Sequence, residues 1–541
     1  QGDSIIGEDS TDLMIVNSDT KFTDNIEVSN SITTKSAIIS GNMKGTDISY
    51  GNWSQLGAGI DGENGGDESG WVVSLSSDGT IVAIGTDLND GNGNNSGHVR
   101  VYKWRLYTQA DANVYNYETR IQSSSQTKPL IITESINTPP SPGNYYWTQL
   151  GTDIDGDGGD DSGFSISLSS DGTIVAIGGI GNDDNGTNSG HVRVYEYNGS
   201  SWIQVGADID GEAQGDYSGH GVSLSSDGTI VAISATENDG NGGDVSSLNK
   251  GHVRVYKWRL YTNADANVYN YQSRTQNSNN LKPLIITEST NTQPSPGNYY
   301  WTQVGFDIDG ENGYDKIGGL SSLSLSSDGT ILAIGGEFND GNTGVVSDNR
   351  GHVRIYQWRL YTDADTNLYN YQSRIQSDSQ TKPLIITESI TTPPSPGNYY
   401  WTQLGTDIDG EAADDSFGRS VSLSSDGTIV AIGGINNHAD SLTSYNYKGH
   451  VRVFQWRLYT DADANVYNYQ SRIQDSTNLE PLIITESITT PPTPGNYYWT
   501  QLGADIDGEA QGDYSGISVS LSSDGTIVAI GALQSSGHVR V

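Results

Sequence analysis

Short apolar runs recur along the chain, some alternating with small or polar residues and some continuous, separated by turns rich in Gly, Asp, Asn and Ser. The pattern is clearest between residues 163 and 206. Phe164 to Ser169 alternates apolar with small residues, Asp171-Gly172 marks a turn, and Thr173 to Gly178 returns as T-I-V-A-I-G. An Asp-Gly pair between two such runs predicts a β-hairpin, because glycine takes the positive φ of a type I′ turn without steric cost. The returning run is apolar on both faces, which predicts a strand buried on both sides. His191 to Tyr197 predicts a third strand, Asn198-Gly199 a second turn, and Trp202 to Gly206 a fourth strand.

This unit repeats. S-S-D-G-T occurs six times, with its aspartate at Asp78, Asp171, Asp227, Asp328, Asp426 and Asp524. G-H-V-R also occurs six times, with histidine at His98, His191, His252, His352, His450 and His538. A W-[TSI]-Q-[LV]-G string occurs at Trp53, Trp147, Trp202, Trp301, Trp401 and Trp499. Successive aspartates are 93, 56, 101, 98 and 98 residues apart, so the 56-residue step is the bare unit and the other steps carry insertions. Four-stranded units that bury both faces against their neighbours predict the blades of an all-β, six-bladed β-propeller over residues 51–541. The last unit lacks a fourth strand, and the Trp53-to-Gly57 string is expected to supply it and close the ring. An open solenoid is the alternative, and would normally show capping repeats.

S-G-x-S-V-S-L-S-S-D-G-T-I-V-A-I-G followed by G-H-V-R-V-Y resembles the FG-GAP repeats of integrin-α-like β-propellers. The likeness covers about residues 53 to 541 apart from the insertions. It implies a propeller that binds proteins or glycans, holds calcium, or serves as a scaffold. Six blades depart from the seven of the integrin type.

Four insertions, at 105–146, 259–300, 359–400 and 457–498, begin R-L-Y-T, pass through P-L-I-I-T-E-S and end P-G-N-Y-Y. They are aromatic and strand-prone. We expect each to fold onto its own blade as a small β-rich arm, with contact to neighbours as the alternative. Residues 1–50 do not match the repeat. Their alternating Thr/Ser/Asn-rich pattern resembles the β-structured stalks of viral and phage fibres, and a linker is the alternative. A chain beginning at Gln1 is expected to be a processed or partial product.

Strand alternation assigns loops to faces. The D-I-D-G-E/D loops between blades hold 26 of the 66 acidic residues and should lie on one face with the loops between strands two and three. The arms should leave the opposite face. Calcium wants six to eight oxygens, often from carboxylates at alternating positions of a tight loop. Asp153, Asp155, Asp157 and Asp161, with Gly158 at the turn, form the one loop with the full spacing, and are the candidate calcium site. The same aspartates would equally cap turns by accepting backbone N–H groups. The six G-H histidines fall one per blade, too far apart to share an ion, and a structural role is expected. His220 and His438 stand alone. G-x-S-x-G, H-E-x-x-H and P-loop motifs are absent, and no carboxylate pair stands out as a glycosidase pair.

Composition narrows the function. The formal net charge of −39 repels phosphate backbones, so nucleic acid is not an expected partner. No apolar run approaches the ~20 residues of a membrane helix. With no cysteine, thiol catalysis and thiolate metal sites are excluded. The repeat and arm pattern resembles proteins of marine microbes and their large viruses. The expectation is a non-enzymatic structural or binding protein, extracellular or on a virion surface. Its propeller would recognise a protein or glycan, and self-association would run through the arms or the N-terminal segment. A filament or surface-layer component assembling through the arms, and a secreted carbohydrate-active enzyme, are the alternatives.

Overall fold

The computed structural model describes residues 55–114, 133–134, 140–239, 249–268, 287–288, 294–311, 313–340, 348–366, 394–437, 447–466, 485–486, 492–533 and 537–541. The chain divides into Gln1–Leu56 and Gly57–Val541. The proposed stalk at 1–50 and the start of the closing strand at Trp53 lie outside the described residues, as do His438 and most of each arm.

The second unit is all-β apart from short helices, with six blades in a propeller arrangement. Blade two follows the reading above: Ser162–Leu168, Ile174–Gly179, His191–Tyr197 and Trp202–Gln204 form an antiparallel meander. A two-residue strand, Ile209–Asp210, adds to the upper end of strand three. Blades one, three, four and five repeat this plan. Blade six has three strands, Ser518–Leu521, Val528–Ala532 and His538–Arg540.

The Asp-Gly hairpin differs from the type I′ expectation. Only the glycine has positive φ, +69° at Gly79. Gly79 N–H donates to the Ser76 carbonyl, and Ser76 N–H to that of Ile81, giving a four-residue loop between strands one and two. The side chains explain this. Asp78 Oδ1 accepts from the Thr80 N–H, the Thr80 hydroxyl and the Ser76 hydroxyl, while Ser76 Oγ accepts from the Ile81 N–H. An aspartate that satisfies the turn in this way has no need of left-handed backbone. The longer loop turns the Ser77 N–H outward, where it donates to Ser170 of the next blade at 2.9 Å.

That bond belongs to a joint that recurs five times. Ser170, Ser226, Ser327 and Ser425 donate in turn to Ser226, Ser327, Ser425 and Ser523, each at 2.8 Å. The strand-one leucines Leu168, Leu224, Leu325, Leu423 and Leu521 donate backbone N–H groups to Ser74, Ser167, Ser223, Ser324 and Ser422 of the preceding blade. Around these bonds the core is assembled from pairs of blades. Ile81, Ala83, Val99 and Val101 of blade one pack with Ile166, Leu168, Val175 and Ile177 of blade two. Each such Val, Ile or Leu side chain contributes about 1.5–3 kcal/mol when fully buried. Close approach is made possible at the strand-one bulge. A Cβ on Gly85 would lie 2.3 Å from the carbonyl oxygen of Gly163, itself at φ +94°.

The arms open with an element the sequence reading missed. R-L-Y-T extends strand three to Leu106, and a short helix follows at Gln109–Val114, with counterparts at Asn263–Val268, Asp363–Thr366 and Asp461–Val466. Thr108 and Asp111 cap it reciprocally, and Asp111 also takes both guanidinium N–H groups of Arg105 at 2.9 and 3.0 Å. Thr133, Thr287 and Thr485 bridge to Thr148, Thr302 and Thr500, so these three arms return onto their own blades.

Candidate functional site

The acidic loops and the loops between strands two and three share one face, tied together by side chains. Asp67 accepts from Asn89, Asp160 from Asn182, Asp216 from Asn238 and Asp415 from Asn437. The same aspartates cap their own turns, as in Asn64 N–H to Asp67 and Ala213 N–H to Asp216. They are buried. Strand three ends on the other side, where Trp104 N–H donates to the Thr80 carbonyl, and there the arms begin.

On the acidic face each complete blade carries a cluster built from three separated segments. His98 and Arg100 lie two residues apart, on one side of strand three. Ile154–Asp155 pairs with Val99 and His98, which brings Asp153 to the histidine. Glu63 arrives from the preceding loop. Glu63, His98 and Asp153 each place one ligand-type atom within 4.8 Å of the others. The same set recurs as Glu212, His252 and Asp307; Glu311, His352 and Asp407; and Glu411, His450 and Asp505. Each aspartate also accepts from a glutamine four residues earlier, as Gln149 to Asp153 at 2.6 Å.

A buried arginine balances each cluster. Arg354, 4% exposed, donates to Asp407 at 2.9 and 3.1 Å and pairs with Glu311. Arg100, Arg254 and Arg452 lie 3.5–3.7 Å from Glu63, Glu212 and Glu411. Burial opposes ionisation of Asp407, but the Arg354 guanidinium beside it overcomes this and holds its carboxyl well below the usual range. Burial drives His98 and His252 down to about 4 and His352 to about 3, so these rings are neutral at pH 7. At His450 burial acts the same way, but Asp505, Asp415 and Glu411 outweigh it and raise the ring's pKa. The arrangement is that of an internal ion-pair network, in which the guanidinium already supplies the positive charge.

Blade two departs from the pattern. Asp157 replaces the glutamate and pairs with Arg193 at 2.8 Å, while Asp184, His191, Asp208 and Asp210 form its cluster. Of the candidate calcium residues, Asp153 belongs with Glu63 and His98, Asp157 meets Arg193, and Asp161 is pushed up to about 6 by burial and by Asp87 and Asp160. Asp155 is raised by burial and by Asp153.

A second feature breaks the repeat. The position after the strand-one glycine holds Trp71, Phe164, His220, Arg419 and Ile517 in blades one, two, three, five and six, where S-G precedes it in four and F-G in blade five. These residues begin the first strands, directly after the acidic loops. Trp71 is 47% exposed and lies 6.0 Å from Phe164, which lies 5.0 Å from His220. Beside them is a depression of about 400 Å³ lined by Ile180, Tyr217, His220, Thr236 and Glu237. Lys316 pairs with Glu237, and Arg419 with Glu337 at 3.3 Å. Burial lowers His220 to about 4, and Arg419 and Lys316 add to the effect. The sequence reading set His220 aside as a lone histidine. Its signal was available, since the position differs in every repeat that has it.

No family model and no curated protein matches the chain. The FG-GAP likeness therefore rests on the quoted motif alone. Among solved structures the chain is similar to the Kuenenia stuttgartiensis hydrazine synthase, at 11% identity and a TM-score of 0.33, over 86% of this chain and 82% of that one. It is also similar to a putative 6-phosphogluconolactonase from Bacteroides uniformis, at 9% identity and a TM-score of 0.34, over 86% of this chain and 77% of that one. The Myceliophteria thermophila Cps50 (Swd1) β-propeller domain matches at 8% identity and a TM-score of 0.32, over 86% of this chain and 81% of that one. Likeness at this level carries no argument about chemistry.

Proposed function

We propose that this chain is a structural and binding protein of a cell or particle exterior, whose propeller recognises a protein or glycan through the acidic-loop face. The observation that supports this most is the strip Trp71, Phe164 and His220. Aromatic side chains and two cation–carboxylate pairs stand where the other repeat positions are held constant by packing. An exposed tryptophan beside half-buried aromatic and charged residues on a rigid scaffold suits recognition. In this reading the arms lie on the anchoring side. The charge clusters hold the presenting loops in place and do no chemistry. Among the described residues no helix is long and apolar enough to cross a membrane. Calcium at Asp153, Asp155, Asp157 and Asp161 is a secondary proposal, since binding would require Arg193 to release Asp157. A calcium titration read by melting temperature tests it.

The test of the main reading is binding of the labelled chain to glycan and protein arrays. The expected result is a defined set of ligands lost on W71A and H220A together. Binding that is absent, or indifferent to both substitutions, contradicts it.

A further inference from the structure

The blade-to-blade joint is asymmetric, with one face of each blade fitting the other face of the next, and both half-joints are also displayed bare. In the formed joints, Leu168, Leu224, Leu325 and Leu423 are 7–8% exposed and Leu521 is half-buried, while the joint isoleucines Ile81 and Ile331 are 5% and 9% and Ile174, Ile230 and Ile429 are half-buried. The equivalent residues at the two ends are Leu75 of blade one, 59% exposed, and Ile527 of blade six, 56% exposed. Val99, Val192, Val253, Val353 and Val451 are fully buried against a glycine of the following blade, whereas Val539 is 68% exposed. The glycines that would receive Ile527 and Val539 are Gly79 and Gly70 of blade one, and a Cβ on either meets nothing within 4 Å. The hydrogen bonds show the same gap. Among the described residues, Ser523 N–H lacks the bond that Ser77, Ser170, Ser226, Ser327 and Ser425 each make, and Leu75 N–H lacks the bond that the other strand-one leucines make.

We propose that the blade-six face of one copy docks on the blade-one face of a second copy, so that the chain assembles head to tail. The occupant follows from continuity with the formed joints. The surface that fits Ile527, Val539 and the Ser523 N–H is the one blades two to six already present, and blade one presents the same surface outward. A face that fits a different face, repeated without closing on itself, generates an open array. The two faces are bare together in one chain, so the five formed joints do not bring them into contact. The apolar rows and the edge strand His538–Arg540, its outer side unpaired among the described residues, are surfaces that natural sheets otherwise cover. The inference is independent of what the acidic face binds.

The chain has no cysteine, which makes the test direct. A full-length S77C/S523C variant places thiols at the two halves of the missing serine bond. After mild oxidation, a ladder of dimers and higher species on a non-reducing gel is the expected result, and it should disappear in L75D and I527D backgrounds. L75D and I527D proteins should each be monomeric by light scattering, and their 1:1 mixture should give dimers and stop there, since each retains one intact face. A disulfide within single copies would show that the two faces close on each other in one chain, and would overturn the proposal. So would wild-type protein that stays monomeric at all concentrations, or single variants that still associate. Circular dichroism and melting of the variants separate loss of assembly from loss of fold, because both sites are exposed and should leave the blades intact.

Discussion

Gly172 of blade two stands against Ile81 of blade one, and a Cβ on the glycine would lie 2.7 Å from Ile81 Cδ1. The same pairing joins Gly228 to Ile174, Gly329 to Ile230, Gly427 to Ile331 and Gly525 to Ile429. The glycine is needed twice over, for its φ of +70° and for the space. G172A should therefore cost about 2–4 kcal/mol, combining left-handed strain of ~1–2 with overpacking. G79A, at φ +69° but with no neighbour, should show only about 1–2 kcal/mol. Denaturant unfolding of the two variants measures the difference.

The buried arginines should matter far more than their partly exposed counterpart Arg540. R354M leaves Asp407 and Glu311 without their cation in a buried site, and a loss of about 3–5 kcal/mol is expected. R540M removes a pairing with Glu509 at 3.7 Å near solvent, and should cost under about 1 kcal/mol. Equal effects in thermal unfolding would refute the view that the clusters hold the blades' loops in place.

Stability should fall with acid in a defined window. His98 and His252 titrate at about 4 in the folded chain, against about 6.5 when unfolded. Between these values the unfolded state binds protons that the folded state does not, so stability drops as pH falls from 6.5 to 4. His450 acts in the opposite sense. Its folded pKa is raised, so its contribution is present below 6.5 and is lost as pH rises through the folded value. Replacing His98 and His252 with glutamine should flatten the dependence between pH 6.5 and 4, as read from denaturation midpoints across that range.

The arm helices depend on a local lock. Arg105 and Thr108 hold Asp111 down at about 2. D111N, with the equivalent changes at Asp265, Asp365 and Asp463, should increase protease cleavage within the arms at neutral pH. The propeller's melting temperature should move little. Cleavage unchanged from wild type would show that the arms are held by something else.

Most of the propeller was legible because each blade's local signals agree. D-G marks the hairpin, T-I-V-A-I-G the doubly buried strand, and W-T-Q the outer strand. The hairpin type was misread because Asp78 satisfies the turn with its side chain, which composition alone does not reveal. The arm helix was missed because six residues are too few for a helical period, although T-x-x-D spelled its cap. The charge clusters were hidden by distance along the chain. Glu63 and Asp153 come from two separate loops and His98 from the start of strand three, and the pairing of Ile154 with Val99 brings Asp153 to the histidine. The histidines were read as structural, but their arginine partners two residues on went unremarked.

In the proposed function the repeating positions build the scaffold and the non-repeating strip on the acidic face does the binding. The most direct measurement is affinity for an array-identified ligand, by titration calorimetry, comparing W71A/H220A with Y145A/Y299A on the arm side. The account predicts at least a ~10-fold loss for the first pair, about 1.4 kcal/mol, with the second pair unchanged. Binding that survives W71A/H220A and is lost in Y145A/Y299A would place recognition on the opposite face and contradict it.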